Sequence, residues 1–309
     1  MTLFSLIAAL LLEQLRPLPV ERFVKAPLGV FARFLEDRFN DGEARHGAVA
    51  WWVAITIACF SSALMYFILW HVHPVLAFAF NVLVLYLTMG FRQVSHFFTD
   101  IQLALRMGEL PQARRLIAEW RGRSHDGASS SEVARLAIEE ALVASHRNVF
   151  AVAFWFILMP GPSGAVFYRL AHFFNEAWGG REQSDEFGDF GDFSRKIFAI
   201  LDWLPVRLTA IAFSIVGDFE DGVYCWRAQA SQWKDKASGI LLASGGGALG
   251  VRLGMPIHES GDVLERPEMG VGDEADADFM QSTIGLIWRT LVLLCLVLAL
   301  LGVAGWVGN

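Results

Sequence analysis

Residues 51–72, WWVAITIACFSSALMYFILWHV, contain no Asp, Glu, Lys or Arg. A helix of about 20 apolar residues crosses the ~30 Å hydrocarbon core of a bilayer, so this run, which extends from about Ala50, predicts a transmembrane helix. Pro74 then interrupts the pattern, and a second apolar run continues from Val75 to Phe91. The two runs together predict a helical hairpin that crosses the membrane twice.

The segments on either side of this hairpin predict its orientation. A hairpin returns the chain to the side from which it started, so residues 13–47 and 92–148 should share one compartment. Both segments are rich in arginine. Because basic residues accumulate on the cytoplasmic side of membrane proteins, we expect residues 92–148 to be cytoplasmic.

Further apolar segments follow the basic region. Residues 149–174 are interrupted by Pro160-Gly161-Pro162-Ser163-Gly164, which leaves either one broken helix or a re-entrant pair. Residues 196–216 carry two charges, and residues 284–307 form a clear last span. Whether the short apolar segment 3–12 also spans the membrane is left open.

The whole pattern predicts an all-α, polytopic helical membrane protein with about four transmembrane helices and a cytosolic helical layer. We expect a single membrane domain over residues 1–309. Its parts are a transmembrane hairpin (50–91), cytosolic helices (92–148), a broken helix with a charged span (149–216), a cytosolic loop region (217–283) and a C-terminal transmembrane helix (284–308). Within the loop region, the acidic run Glu265–Asp278 is interpreted as a solvated linker.

Composition supports a membrane protein and excludes several other classes. Hydrophobic residues make up 54% of the chain and charged residues only 18%, with a mean hydropathy of +0.42. The net charge of −7 argues against a nucleic-acid partner, which would require a basic face. Cys59, Cys225 and Cys295 are far apart and form no Cys/His cluster, so no metal site is predicted.

Three local features carry charge or glycine in unusual places. Asp202 and Arg207 lie inside an apolar segment, where ionisable residues often mark function; the alternative is an interfacial helix with both charges at the headgroups. Residues 244–250, SGGGALG, could offer amides to a phosphate, although a loop or close helix packing is the simpler interpretation. Glu139 and Glu140 are interpreted as part of a solvated helix face.

Five stretches between about residues 91 and 256 contain distinctive arginine, glycine and proline motifs, and the pattern in parentheses after each stretch is the family motif that it resembles. They are Arg121-Gly122-Arg123 (VGRDT-like), Arg135 with Ile138 and Glu139 (R-A-A-V-E), Phe154-Trp155 with Gly161–Ala165 and Tyr168-Arg169 (F-W…PGA…YR), Phe190-Gly191 with Pro205–Ala210 (F-G…P-A-R-L-T-A), and Ala248–Gly254 (A-L-G-V-R-L-G). In order and spacing they resemble the motifs of the CobD/CbiB family, and the chain resembles a divergent member of it.

This resemblance implies a bacterial inner-membrane adenosylcobinamide-phosphate synthase of cobalamin biosynthesis. Such an enzyme joins an aminoalcohol phosphate to the carboxylate of cobyric acid, with ATP and Mg²⁺ if the activity is present. The implied partners are the lipid bilayer and a phosphorylated or corrinoid ligand, and a homo-oligomer is left open. The substrate- or anion-binding residues implied by the motifs are Arg123, Glu139, Arg169, Arg207 and Arg252, since arginine suits phosphates and carboxylates. We further expect Arg169 and Arg207 to line one cavity near the 160–164 break.

Other positions depart from the family motifs and keep a second hypothesis open. Val143–Asn148 stands where the family has E-N-x-S-D-G, Asn175 replaces the aspartate of N-T-L-D-S-M, and Asp235–Gly239 replaces S-P-N-A-G. These losses of acidic residues fit poorly with metal-assisted ligation. The alternative is a non-enzymatic membrane protein in cell-envelope and β-lactamase-induction signalling, because Leu201–Leu208 resembles AmpE.

Overall fold

The computed structural model describes residues 1–15, 26–40, 44–180 and 189–307. The basic residues at positions 16–25 that helped to predict orientation lie outside the described residues. The α-helices are α1 (Thr2–Leu15), α2 (Ala26–Phe39), α3 (Ala44–Val72), α4 (Pro74–Thr88), α5 (Phe91–Arg106), α6 (Leu110–Arg121), α7 (Ser130–Ser145), α8 (Ala151–Leu158), α9 (Ser163–Phe174), α10 (Asp192–Val216), α11 (Phe219–Gln229), α12 (Lys236–Leu249) and α13 (Ala277–Val307).

Shorter elements complete the described chain. Single π-helical turns follow α7 (His146–Phe150) and α9 (Asn175–Gly179), and a 3-10 turn follows α11 (Ala230–Gln232). The strands are β1 (Val251–Gly254), β2 (Ile257–Glu259), β3 (Asp262–Leu264), β4 (Glu268–Gly270) and β5 (Asp273–Glu274). Helices therefore dominate, as the sequence predicts.

The chain divides into two compact units, each built from two separate stretches of sequence. The first unit comprises Met1–Gln93 and Asn148–Pro205, and the second comprises Val94–Arg147 and Val206–Asn309.

In the first unit, α3 and α4 pack against each other and form the predicted hairpin. The ring of His73 caps α4 by accepting a hydrogen bond from the backbone N–H of Val75 at 3.2 Å. Pro74 follows in the first turn of α4. The N–H groups of a first turn have no acceptor within the helix, so the N–H that proline lacks is not needed there. At 15 residues, or about 22 Å, α4 is shorter than the hydrocarbon core.

The 160–164 break separates α8 from α9, and the two helices then pack side by side. Gly161 turns the chain with a φ of +60°. A side chain at Gly164 would collide with the backbone carbonyl of Trp155, so glycine permits this close approach. The apolar run is therefore divided into two helices that pack together, and the re-entrant arrangement stays a prediction.

In the second unit, the segment expected as a loop region, residues 217–283, differs from that expectation. It contains α11, α12 and all five strands. Strand β1 is the middle of a small sheet, antiparallel to β4 and parallel to β5, while β2 and β3 form a hairpin. The acidic run is consequently not a free linker: it supplies β4 and β5, and Met269 within it is fully buried.

Four helical segments among the described residues are long and apolar enough to cross a membrane. They are Arg45–Val72, Ser130–Leu158, Asp192–Val216 and Ala277–Gly305. The predicted count of about four is confirmed. Ser130–Leu158 is long and apolar enough to be included, but most of it is buried inside the protein, whereas α4 is a shorter apolar helix. Large apolar side chains of α3 and α13, such as Phe60 and Leu301, are exposed, as expected for surfaces that face lipid.

Candidate functional site

The best-defined polar cluster in the second unit lies along one face of α7. Glu132, Arg135 and Glu139 are spaced at three and four residues, so they share that face. Ser129 caps the N-terminus of the helix, because its hydroxyl accepts a hydrogen bond from the backbone N–H of Glu132 at 3.1 Å. All three charged residues are buried.

Glu139 connects α7 to the segment after β1. One carboxylate oxygen accepts from the backbone N–H of Gly254 at 2.8 Å, and Arg266 donates to both oxygens at 2.8 and 3.1 Å. Arg266 also donates to the backbone carbonyls of Gly254 (2.9 Å) and Met255 (3.1 Å) and lies 5.2 Å from the ring centre of Trp233. Glu139 is 4% exposed. Its interpretation as part of a solvated face is therefore wrong.

Glu132 holds the β2–β3 hairpin. Its carboxylate accepts from the backbone N–H of His258 at 2.5 Å and lies 3.0 Å from the Nδ1 of the same residue. The ring of His125, which is fully buried, lies 2.9 Å from the carbonyl oxygen of His258. The carboxylate of Glu132 thus contacts a strand that lies far along the sequence.

Arg123 pairs with the end of the same hairpin, since its Nη1 lies 2.5 Å from Glu259. Burial alone would raise the pKa of Glu259, but the hydrogen bond and charge of Arg123, with smaller contributions from Arg121 and His125, lower the pKa below its ordinary value. The guanidinium of Arg123 remains largely exposed. It can therefore meet a ligand only in competition with this carboxylate.

Arg252 lies on β1, two residues before Gly254, and its side chain is half-exposed. The nearest acidic partner is Glu274 of β5, at 3.8 Å, which pairs with Arg252 in the register of the sheet. Arg252 and Glu139 thus meet the same short strand. Of the predicted site residues, these two are brought to one place.

The first unit holds a second polar group, around α9. The hydroxyl of Tyr168 donates to Asp202 at 2.9 Å, and both side chains are buried. Arg169 donates to the side-chain oxygen of Asn148 at 2.8 Å. Asp202 is thus held inside this unit, so the headgroup alternative does not describe it.

The last two predicted residues, Arg169 and Arg207, fall in different compact units. Arg169 belongs to the first unit, whereas Arg207 is half-buried on α10 in the second. The cavity expected between them stays a prediction. Residues 244–249 lie inside α12, and Gly250 ends that helix with a φ of +68°, which favours the close-packing interpretation over a phosphate loop.

The sequence analysis did not identify Arg266, His258 or Glu132 as members of this cluster. One signal was present: Arg266 is the only basic residue between Glu259 and Asp278. An arginine in an acidic run requires an acidic partner only when its side chain is buried. The sequence of this run did not predict that Arg266 is buried. Across residues 1–15, 26–40, 44–180 and 189–307, no three His, Cys, Asp or Glu side chains are grouped to hold a metal ion.

Comparison with known proteins places the chain in a family. The family described as CobD/Cbib protein matches residues 6–287. A cobalamin biosynthesis protein CobD of Stutzerimonas stutzeri is 33% identical over 306 residues, covering 98% of this chain and 97% of that protein. A CobD of Chromobacterium violaceum is 33% identical over 70% of this chain and 68% of its own length. The cobalamin biosynthesis protein CbiB of Salmonella typhimurium is 23% identical to this chain, and the match covers 86% of this chain and 85% of that protein.

No solved structure shows a significant match. The match to the family nevertheless covers nearly the whole chain, including α7, the strands and the two polar groups. This helical membrane protein belongs to the CobD/CbiB family.

Proposed function

We propose that this protein acts in cobalamin biosynthesis, at the step that joins an aminoalcohol phosphate to the carboxylate of cobyric acid. The supporting observation is the 33% identity to a cobalamin biosynthesis protein CobD over 98% of the chain. The segment Ala248–Gly254, ALGVRLG, which includes β1, agrees with this proposal because it keeps its arginine and because Glu139 holds it through the backbone N–H of Gly254.

In this proposal the side chains of the chain bind and orient anionic groups. Arg252, half-exposed beside a buried ion pair, is suited to hold a phosphate or carboxylate with its planar fork. ATP would supply the activation of the carboxylate. Since Glu132 and Glu139 are already engaged, a magnesium ion would be held chiefly by substrate phosphates, which is a common arrangement for this ion.

The proposal also includes a location. The protein would lie in the bacterial inner membrane, with residues 92–148 and their arginines in the cytoplasm, where ATP is available. Lys and Arg near the ends of spans favour this orientation.

Complementation tests the function. A bacterial strain without its own cobinamide-phosphate synthase, supplied with cobyric acid, should grow when it expresses this chain. The variant Arg252→Gln should reduce growth strongly, whereas Arg115→Gln, an exposed position on α6, should not. Absence of growth, with the wild-type protein present in the membrane fraction, would remove the proposal.

A second candidate function is favoured by one contact. Arg147 stands where the family motif has an acid, and Asp235 stands where the motif has a serine; their side chains lie 3.6 Å apart. An arginine paired with an aspartate thus occupies positions where the family motifs have an acid and a serine, and this change fits a member without the catalytic acid. This supports the AmpE-like alternative, a non-enzymatic role in envelope or β-lactamase-induction signalling, which predicts no complementation and an altered induction phenotype on deletion.

A further inference from the structure

Helix α13 changes its surroundings at Arg289. Before this residue, Leu286 is fully buried within the second unit, whereas after it Val292 and Leu301 are exposed. Residues 290–307 carry no charged side chain and extend for about 27 Å, which approaches the thickness of the hydrocarbon core. Basic side chains at the end of a span reach toward the headgroups. This pattern indicates that α13 enters the hydrocarbon core of the bilayer just after Arg289.

The last residue of α10 lies at the same level. The guanidinium of Arg289 donates to the backbone carbonyl of Val216 at 2.9 Å, and α10 ends at Val216. Large apolar side chains in the last turns of α10, such as Ile211 and Ile215, are exposed, as lipid-facing side chains are. Only two residues separate Val216 from the start of α11. Helix α11 therefore begins where the hydrocarbon core meets the headgroups.

Helix α11 does not lead away from this level, because its second turn packs against the last turn of α10. A β-carbon at Gly222 would lie 2.6 Å from the hydroxyl oxygen of Ser214, so glycine permits this close approach. Cys225, three residues further on and on the same face of α11, is fully buried. The backbone N–H of Asp218 donates to the carbonyl of Ala248 at the end of α12, at 3.0 Å. One face of α11 is thus fixed against α10 and α12, and the opposite face is directed outward.

The outward face of α11 carries large apolar side chains. Phe219 is 58% exposed and Tyr224 is 65% exposed, and together with Val223 they line a shallow groove along this one helix. The exposed side chains of Glu220 and Arg227 border the same groove. Aromatic side chains beside charged ones are typical of a helix that lies in the plane of the membrane interface. The outward face therefore fits phospholipid headgroups better than it fits water.

We propose that α11 is an interfacial helix, whose outward face of Phe219, Val223 and Tyr224 lies among the phospholipid headgroups. This face continues the exposed apolar surfaces of α10 and α13, so the same bilayer covers all three. Its charges of both signs, Glu220 and Arg227, suit headgroups that carry both a phosphate and an ammonium group. The inference concerns contact with lipid and holds whether or not amide ligation takes place.

An interfacial α11 would also hold the small β-sheet close to the membrane surface. The side chain of Gln229, the last residue of α11, donates to the backbone carbonyl of Gly270 at 3.0 Å and accepts from the N–H of Gly270 at 2.7 Å. Gly270 belongs to β4 and lies opposite Arg252 in the register with β1. The depth of α11 in the membrane therefore bears on the position of the whole sheet.

Fluorescence quenching by lipid-attached nitroxides tests the interfacial helix on the full chain, in nanodiscs of phosphatidylcholine. Cys59 and Cys295 are replaced by alanine. Cys225 stays, because burial raises the pKa of its thiol to about 11 and a protonated thiol does not react with a maleimide. The fluorophore NBD is then attached through a maleimide to one introduced cysteine, and nitroxides at the headgroup and deep in the acyl chain report its depth.

The probe at Tyr224→Cys should be quenched more by the headgroup nitroxide than by the deep one, which places it about 5–10 Å into the interface. Leu301→Cys, at an exposed position on α13, is the hydrocarbon control and should show the reverse order. Arg115→Cys, exposed on α6, is the aqueous control and should be quenched by neither nitroxide. If Tyr224→Cys does not fold, Phe219→Cys provides a second labelled position on the same face.

Three results would overturn the proposal. Quenching at Tyr224→Cys no stronger than at Arg115→Cys, with emission typical of water, would show that the outward face of α11 is solvated. Emission typical of an apolar environment that neither nitroxide quenches would show that a second copy of the chain or another protein covers this face. Stronger quenching by the deep nitroxide, as at Leu301→Cys, would place α11 in the hydrocarbon core instead of at the interface.

Discussion

At the scale of single residues, Glu139 shows how a motif residue can serve the fold. The resemblance implied that it binds substrate, yet its carboxylate is buried and occupied by Arg266 and the N–H of Gly254. Gly254 itself has a φ of +70°, and a side chain there would collide with the carbonyl of Pro267. We therefore interpret Glu139 as the residue that positions the β1 segment, with Arg252 two residues away.

Removing either partner of this ion pair should destabilise the second unit. Glu139→Gln leaves the buried charge of Arg266 without its partner, as does Arg266→Gln for Glu139, so each should lower the free energy of unfolding by about 3–5 kcal/mol. The double variant should lose less than the sum of the two losses. Thermal or denaturant unfolding in detergent provides the measurement.

Glu119→Gln serves as the control, because Glu119 is exposed on α6 and its replacement should change stability by less than about 0.5 kcal/mol. A loss in the double variant that equals the sum of the two single losses would show that the two side chains do not act on each other.

At the scale of elements, the packing of α12 against its neighbours requires glycine at several positions, because a β-carbon there would collide with them. Gly245 approaches Leu142 of α7, and Gly246 approaches Gly270 of β4, so a β-carbon at these positions would lie 2.7 and 3.0 Å from its neighbour. Glycine inside a helix costs roughly 0.5–1 kcal/mol relative to alanine. That cost is offset here by the close packing of α12 against α7, α11 and the sheet, which is why a glycine-rich run forms a helix in this chain.

Alanine at Gly247 should therefore destabilise the protein, although alanine is the better helix former. Its methyl group would collide with the backbone carbonyl of Asp221 on α11, and backbone cannot move aside cheaply. We expect a loss of about 1–3 kcal/mol in unfolding experiments. Gly302→Ala is the matched control, because nothing lies within 4 Å of a β-carbon there and α13 should be unaffected or slightly stabilised. Equal stability of the two variants would contradict the packing of α12.

At the scale of the whole molecule, local pattern determines the apolar helices and little else. The hairpin, its break at Pro74 and the last span could be predicted, since runs of apolar residues and one proline suffice. The strands could not, because each has two to four residues and is fixed by partners far along the chain. The Glu139–Arg266 pair joins residues 127 positions apart. Each compact unit likewise combines two distant stretches, which no local pattern reveals.

The topology that we propose, in which α3 and the shorter α4 both cross the bilayer, with local thinning of the bilayer around α4, and α6 lies in the cytoplasm, is tested most directly by cysteine accessibility. Cys59, Cys225 and Cys295 would be replaced by alanine, and single cysteines placed at His73, in the hairpin turn, or at Arg115, on α6; both positions are exposed. In right-side-out membrane vesicles, an impermeant maleimide should label His73→Cys directly and Arg115→Cys only after permeabilisation. Equal labelling of both positions before permeabilisation would contradict the account.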